Sequence, residues 1–193
     1  MTKPRMLKRK QERPFSAHHM LISTAFRACE AAEQKSPGYM YNMLVAITFS
    51  SLAVESLCNT IGERIILDWQ DFESGSPIAK LRLLTKHLNI EFTKESEPWV
   101  SARWLIKFRN QIAHAKPENV VEEVTLTQEQ HDKRLFDMPE SKLEKQVTLA
   151  NAKRAVETVI QIKTILTQAI PPEDAFGLYV DGWSGSTELF PDA

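Results

Sequence analysis

The feature that most restricts the fold is the stretch from Tyr39 to Leu67, the longest apolar-periodic segment of the chain. Ser36-Pro37-Gly38 closes off whatever precedes it, and Asp68 to Gly75 reads as a loop with turn chemistry. Within it, Met43, Leu44, Ile47, Leu52, Val54, Leu57, Ile61 and Ile65 are core candidates for one long helix. Thr48, Ser51, Glu55 and Asn59 recur at spacings of three and four, so a polar stripe runs along one side. Two readings of that stripe stand. It is the solvent side of the helix, or Glu55 faces Arg109 or His114 and holds one of them in place, with Asn59 beside it. The most apolar run, Met43 to Val54, carries Thr48, Ser50 and Ser51 and meets Glu55, which reads as too short and too polar for a membrane span.

A helix this long needs partners, and the sequence supplies them. Ser16 stands where it can cap a first helix to about Lys35, with Met20, Leu21, Ala25, Ala28 and Cys29 inward. Ser76-Pro77 opens a short basic helix to about Leu88, in which Lys80, Arg82 and Lys86 read as a solvated face. Another helix spans about 97–114, and Pro117 ends whatever helix is running there. Thr148 can cap a last helix to Ala169, with Val156, Val159, Ile160, Ile162, Leu166 and Ile170 forming its stripe and Lys163 buried by its stem. The helix over 39–67 is expected to pack on that over 97–114 through Ile47, Val54, Trp104 and Phe108. The expected fold is all-α, an up-and-down bundle of four or five helices. With 193 residues it forms one domain with appendages. These are a basic arm over 1–14, a helical body over 15–170 with an irregular insertion at 117–147, and a C-terminal tail over 171–193.

The appendages are charged in opposite senses. The arm carries Lys3, Arg5, Lys8, Arg9, Lys10 and Arg13 against Glu12 alone. Such an arm neutralises phosphates without sequence preference, or it is a disordered, solubilising leader. The tail holds acids but no Lys or Arg, and its Phe176, Tyr179, Trp183 and Phe190 are too many aromatics for plain disorder, so it is expected to dock on the body or on a second subunit. Val120 to Thr127 alternates enough for a short strand or an extended arm, and Gln128 to Lys145 reads as irregular or briefly helical. The net charge of −1 gives no global pull towards nucleic acid, so any such binding must come from local patches. The two cysteines, Cys29 and Cys58, sit in apolar helical patterns and read as buried reduced thiols in a cytoplasmic protein with no signal peptide. His18 and His19 are adjacent, so they are expected to point to different faces, and no pair has the helical spacing of a metal site.

Chemistry concentrates in the segment PWVSARWLIKFRNQIAHAKP, from Pro98 to Pro117. Val100, Trp104, Ile106, Phe108 and Ile112 supply an apolar face, and into it the chain sets Arg109, Asn110 and His114. A cation that never deprotonates and an imidazole, a group that titrates near neutrality, lie five residues apart. At roughly 100° per residue that is about 140° of rotation, so the two do not share a face of an ideal helix. They meet only if the helix loosens, or each meets a group from elsewhere. The same spacing occurs from Arg13 to His18 and from Arg82 to His87, but only Arg109 is followed at once by Asn110 at the end of a long apolar helix. On the residues alone, the favoured role of Arg109 and His114 is that of charges that cap and tie down a helix end.

Arg109-Asn110-Gln111-Ile112-Ala113-His114 resembles the signature of the HEPN domain family of small helical proteins, an Arg, then a polar residue, then a His four to six positions beyond the Arg. SLAVESLCNTIGERI, Ser51 to Ile65, is similar to the long second helix of such domains, with an acidic residue amid apolar neighbours. The likeness covers about Phe15 to Ala169, and its specific part is these two segments. It implies a metal-independent endoribonuclease without a cofactor, in which Arg109 stabilises the phosphate, His114 moves protons and Asn110 orients one of them. It further implies a two-fold homodimer whose paired motifs share one cleft, with RNA as substrate, and the charge of the arm then makes Lys8, Arg9, Lys10 and Arg13 the expected added RNA contacts. Toxin–antitoxin or phage-defence settings, with an antitoxin or other protein partner, belong to the same expectation. The competing expectation is a non-catalytic helical dimer that binds RNA, a nucleotide or a partner protein.

Overall fold

Helix ends in this protein follow local chemistry. In the computed structural model, which describes residues 7–175, 177–179 and 184–189, six α-helices and one two-stranded ribbon are present. They run β1 (Leu7–Glu12), α1 (Ala17–Glu33), α2 (Tyr39–Ile65), α3 (Pro77–His87), α4 (Trp99–Ala113), α5 (Gln128–Lys133), α6 (Leu149–Ala169) and β2 (Ser184–Leu189). Ser76 Oγ accepts from the Ala79 amide with Pro77 in the first turn of α3, and Thr148 Oγ1 accepts from the Asn151 amide to open α6. Ser16 occupies the cap position of α1 in extended backbone, but its side chain makes no capping bond. Short α5 is held by a reciprocal capping box between Thr127 and Gln130. Val120 to Thr127 forms no strand, so the fold is all-α but for the terminal ribbon.

α2 is the axis of the body and contacts α1, α3, α4 and α6. Its first half, through Met43, Ala46 and Ile47, shares one buried cluster with Ala25 and Cys29 of α1, Leu105 and Phe108 of α4, and Ala152 and Ala155 of α6. Its second half, through Ala53, Val54, Leu57, Cys58 and Ile61, shares another with Leu81 and Leu84 of α3, Trp99 and Ala102 of α4, and Val159, Ile162 and Leu166 of α6. Ile47, Trp104 and Phe108 therefore meet as expected, while Val54 belongs to the other cluster. By length and composition the whole of α2, longer than the run Met43 to Val54, is apolar enough to cross a membrane. Half of its most apolar window is buried by the other helices, as in a core helix. Met20 and Ile160, both expected inward, are 56% and 42% exposed, because α1 and α6 each present a narrower apolar stripe than their periodicity allows. Cys29 and Cys58 are buried and unbridged.

The two appendages meet each other. β1 pairs antiparallel with β2, Leu7 opposite Leu189 and Glu12 opposite Ser184, so the arm is one side of a ribbon rather than a free leader. Lys8 stands opposite Glu188, and Lys10 forms an ion pair with Glu12. The tail reaches the body as well: Leu178 and Ala175 are buried in the second-half cluster beside Ile170. His18 and His19 do not diverge. Their rings lie 4.0 Å apart and both turn to the tail, His18 Nε2 at 3.4 Å from the Leu178 carbonyl and His19 Nε2 at 3.1 Å from that of Gly177. Lys163 donates to the next carbonyl, Tyr179, at 3.0 Å. Phe176, Trp183 and Phe190 lie outside the described residues, as do Lys3 and Arg5.

Candidate functional site

Where α2, α3 and α4 come together, the polar stripe of α2 faces protein rather than solvent. Ser51 is buried, and Glu55 is only a quarter exposed. Glu55 and Asn59, one turn apart, look towards α3 and α4. Glu55 Oε2 accepts a hydrogen bond from an Arg109 terminal nitrogen in an ion pair. Its other oxygen lies 3.6 Å from Lys80 Nζ. Lys80 in turn donates to Asn59 Oδ1 at 2.9 Å. The second terminal nitrogen of Arg109 donates to Asn110 Oδ1 at 3.0 Å. Of the two readings of Glu55, the structure gives the one in which it touches Arg109.

Lys80 is the residue the sequence misassigned. Its side chain is 2% exposed rather than part of a solvated face. Pro77, Lys80, Leu81, Leu84 and Thr85 form the buried side of α3, so Lys80 stands in the apolar stripe at a position Leu would ordinarily take. That placement was the available signal. A buried ammonium needs a counter-charge and acceptors, and Glu55 and Asn59 supply them. Next to it Cys58 is fully buried. Burial pushes its thiol up to about 12, with Lys80 pulling down and Glu55 pushing up by lesser amounts. Two cations against one carboxylate leave the cluster a net positive charge.

α4 ends at Ala113, and His114 follows as its cap residue, its amide bonded to the Asn110 carbonyl. Its ring is exposed, and among the described residues no hydrogen bond links it to Arg109. Arg109 faces α2, whereas His114 faces an open groove of about 520 Å³ between the start of α3 and one side of α4. Ser76, Ile78, Arg103, Ile106, Lys107, Asn110, Gln111 and His114 line it, with no carboxylate among them. Asn110 is thus the link, touching Arg109 through its side chain and forming part of the groove wall.

Lys8, Arg9 and Lys10 lie on the exposed ribbon, and the Arg13 guanidinium sits 5.4 Å from the Phe15 ring centroid. No hydrogen bond or ion pair joins them to the Glu55 cluster among the described residues. Among the same residues, no three His, Cys, Asp or Glu side chains gather as metal ligands. No family model, curated protein or solved structure matches the chain.

Proposed function

We propose that this chain is a HEPN-type, metal-independent endoribonuclease, a helical bundle of that family acting in the cytoplasm as a two-fold dimer. The observation that carries the reading is the arrangement around Asn110. Arg109 is held by Glu55, Asn110 bonds Arg109, and Asn110 and His114 share the wall of a carboxylate-free groove. In the step this supports, an imidazole takes the proton of a ribose 2′-OH and that oxygen attacks the adjacent phosphorus. The bond to the 5′ oxygen breaks, and the leaving oxygen takes a proton from a second imidazole. The products are a 2′,3′-cyclic phosphate and a 5′-hydroxyl. Arg109 offers the phosphate a planar, permanently charged fork. One imidazole does not conveniently serve both ends of the scissile bond, and two His114 side chains from two copies would.

Incubating the purified protein with total RNA in EDTA, beside His114→Ala and Arg109→Lys, tests this. The expected result is cleavage that survives the chelator, is bell-shaped in pH, yields cyclic-phosphate ends and is lost in both variants, since a point charge does not copy the fork. Loss of cleavage in EDTA, or near-wild-type activity of His114→Ala, overturns it. One observation favours the second reading, a non-catalytic dimer that binds RNA, a nucleotide or a protein. Both terminal nitrogens of Arg109 already have partners within the chain. On that reading no condition gives cleavage.

A further inference from the structure

The groove beside His114 contains more positive charge than the motif accounts for. Arg103 and Lys107 are one turn apart on α4, both exposed, and neither makes an ion pair or hydrogen bond with any described residue. The groove wall they share holds no carboxylate to neutralise them. On the groove wall the order is Arg103, Lys107, Asn110 and His114, at spacings of four, three and four. At 1.5 Å per residue, Arg103 to Lys107 advances about 6 Å and Lys107 to His114 about 10 Å. A row of that length suits a chain of phosphates rather than one. The rest of the wall is apolar, amide or hydroxyl: Ile78, Ile106, Gln111 and Ser76. Aliphatic surface and a guanidinium plane receive an unstacked base, and amides bond base edges, which a paired helix does not offer.

We infer that this groove is a track for single-stranded RNA. Arg103 and Lys107 hold successive phosphates on one side of the scissile linkage and so position it at Asn110 and His114. The inference rests on the proposed ribonuclease site and names what that site grips beyond the motif. It also moves the main RNA contact away from the ribbon, where Lys8 faces Glu188 and Lys10 pairs with Glu12.

The test is fluorescence anisotropy with a labelled, mixed-sequence 12-nucleotide single-stranded RNA, measured over a salt series in the 193-residue chain carrying His114→Ala to prevent cleavage. Arg103→Gln/Lys107→Gln is compared with Lys8→Gln/Lys10→Gln on the ribbon and Lys86→Gln/Lys94→Gln elsewhere on the surface. Circular dichroism confirms that each is folded, as expected for exposed positions. The groove pair should weaken binding at least tenfold and reduce the slope of log K against log salt by about 1.4, two contacts at roughly 0.7 each. The other pairs should change binding less than threefold. Equal losses in all three pairs, a loss confined to the ribbon pair, no measurable binding by the parent protein, or equally tight binding of polyglutamate overturns the inference. Separate cleavage assays in the otherwise native chain distinguish it from the catalytic reading. Groove-dependent binding without any cleavage leaves the track standing and removes the nuclease, and cleavage indifferent to Arg103 and Lys107 does the reverse.

Discussion

Changing Glu55 to Gln removes one charge from a junction that three helices share, and the structure sets the size of the effect. Lys80 is 2% exposed and loses its only counter-charge among the described residues, whereas Arg109 at 28% exposure loses a partner that water partly replaces. Breaking a fully buried pair by removing one partner costs about 3–5 kcal/mol, and a surface pair is worth about 0–1. Lys80 keeps its hydrogen bond to Asn59, and position 55 is a quarter exposed, which moves the expectation below the buried limit. A loss of about 2–3 kcal/mol follows, or roughly 4–12 °C in Tm for a domain of this size. Urea denaturation should show a lower midpoint with an unchanged m-value. Lys80→Met removes the charge that needs Glu55, so the double variant should be at least about 1 kcal/mol more stable than the sum of the single effects predicts. A Glu55→Gln protein within about 0.5 kcal/mol of wild type, or strict additivity in the double, would refute the argument.

Two further outcomes follow from packing and burial. Gly62 lies in α2 directly beneath Trp69, and an added Cβ would stand 2.3 Å from the indole ring, so Gly62→Ala should cost about 1–3 kcal/mol in the same urea assay, where an unchanged midpoint contradicts the packing. Cys58, raised from 9.0 to about 12 by burial, should carry on the order of a thousandfold less thiolate at pH 8 than when unfolded, so Ellman's reagent should find two reactive thiols in urea and at most Cys29 in the native protein. Because the unfolded chain releases that proton first, this thiol should lower stability as pH rises above about 9, and equal, rapid labelling of both cysteines in the native state would contradict the burial.

What the sequence made legible was local. The starts of α3 and α6 were readable because Ser76-Pro77 and Thr148 act on amides within three residues, and the end of α6 because Pro171 and Pro172 cannot continue a helix. Glu55 opposite Arg109 was one of two readings of a periodic stripe, and only the crossing of α2 with α4 chooses between them. What was hidden depends on distant partners. β1 pairs with residues from the opposite end of the chain, so its composition read as a leader. His18 and His19 both turn inward because the tail supplies carbonyls there, and a one-residue step of about 100° on a helix spreads two rings less than a broad contact can span. Lys80 was hidden by habit rather than distance: a lysine opening a series of basic residues, Lys80, Arg82 and Lys86, suggests solvent, although the apolar stripe at Pro77, Leu81 and Leu84 ran through its position.

On the proposed ribonuclease reading, the junction also bears on how Arg109 acts on a phosphate while paired. Glu55 uses one oxygen for Arg109 and the other for Lys80, so the two cations do not compete for a single acceptor. If Arg109 turns towards a bound phosphate, Glu55 keeps Lys80 as its partner and is not left as an isolated carboxylate. Lys80, buried and bonded to Asn59, stays where it is. The energy lost is then that of a partly exposed pair, about 1 kcal/mol or less, which a charge-assisted bond to phosphate readily offsets. With Lys80 replaced by Met, the same turn would strand Glu55 without a cation beside the incoming phosphate. The buried lysine thus gives Glu55 a second partner and leaves Arg109 able to exchange its own, on a cluster whose net charge already favours the anion.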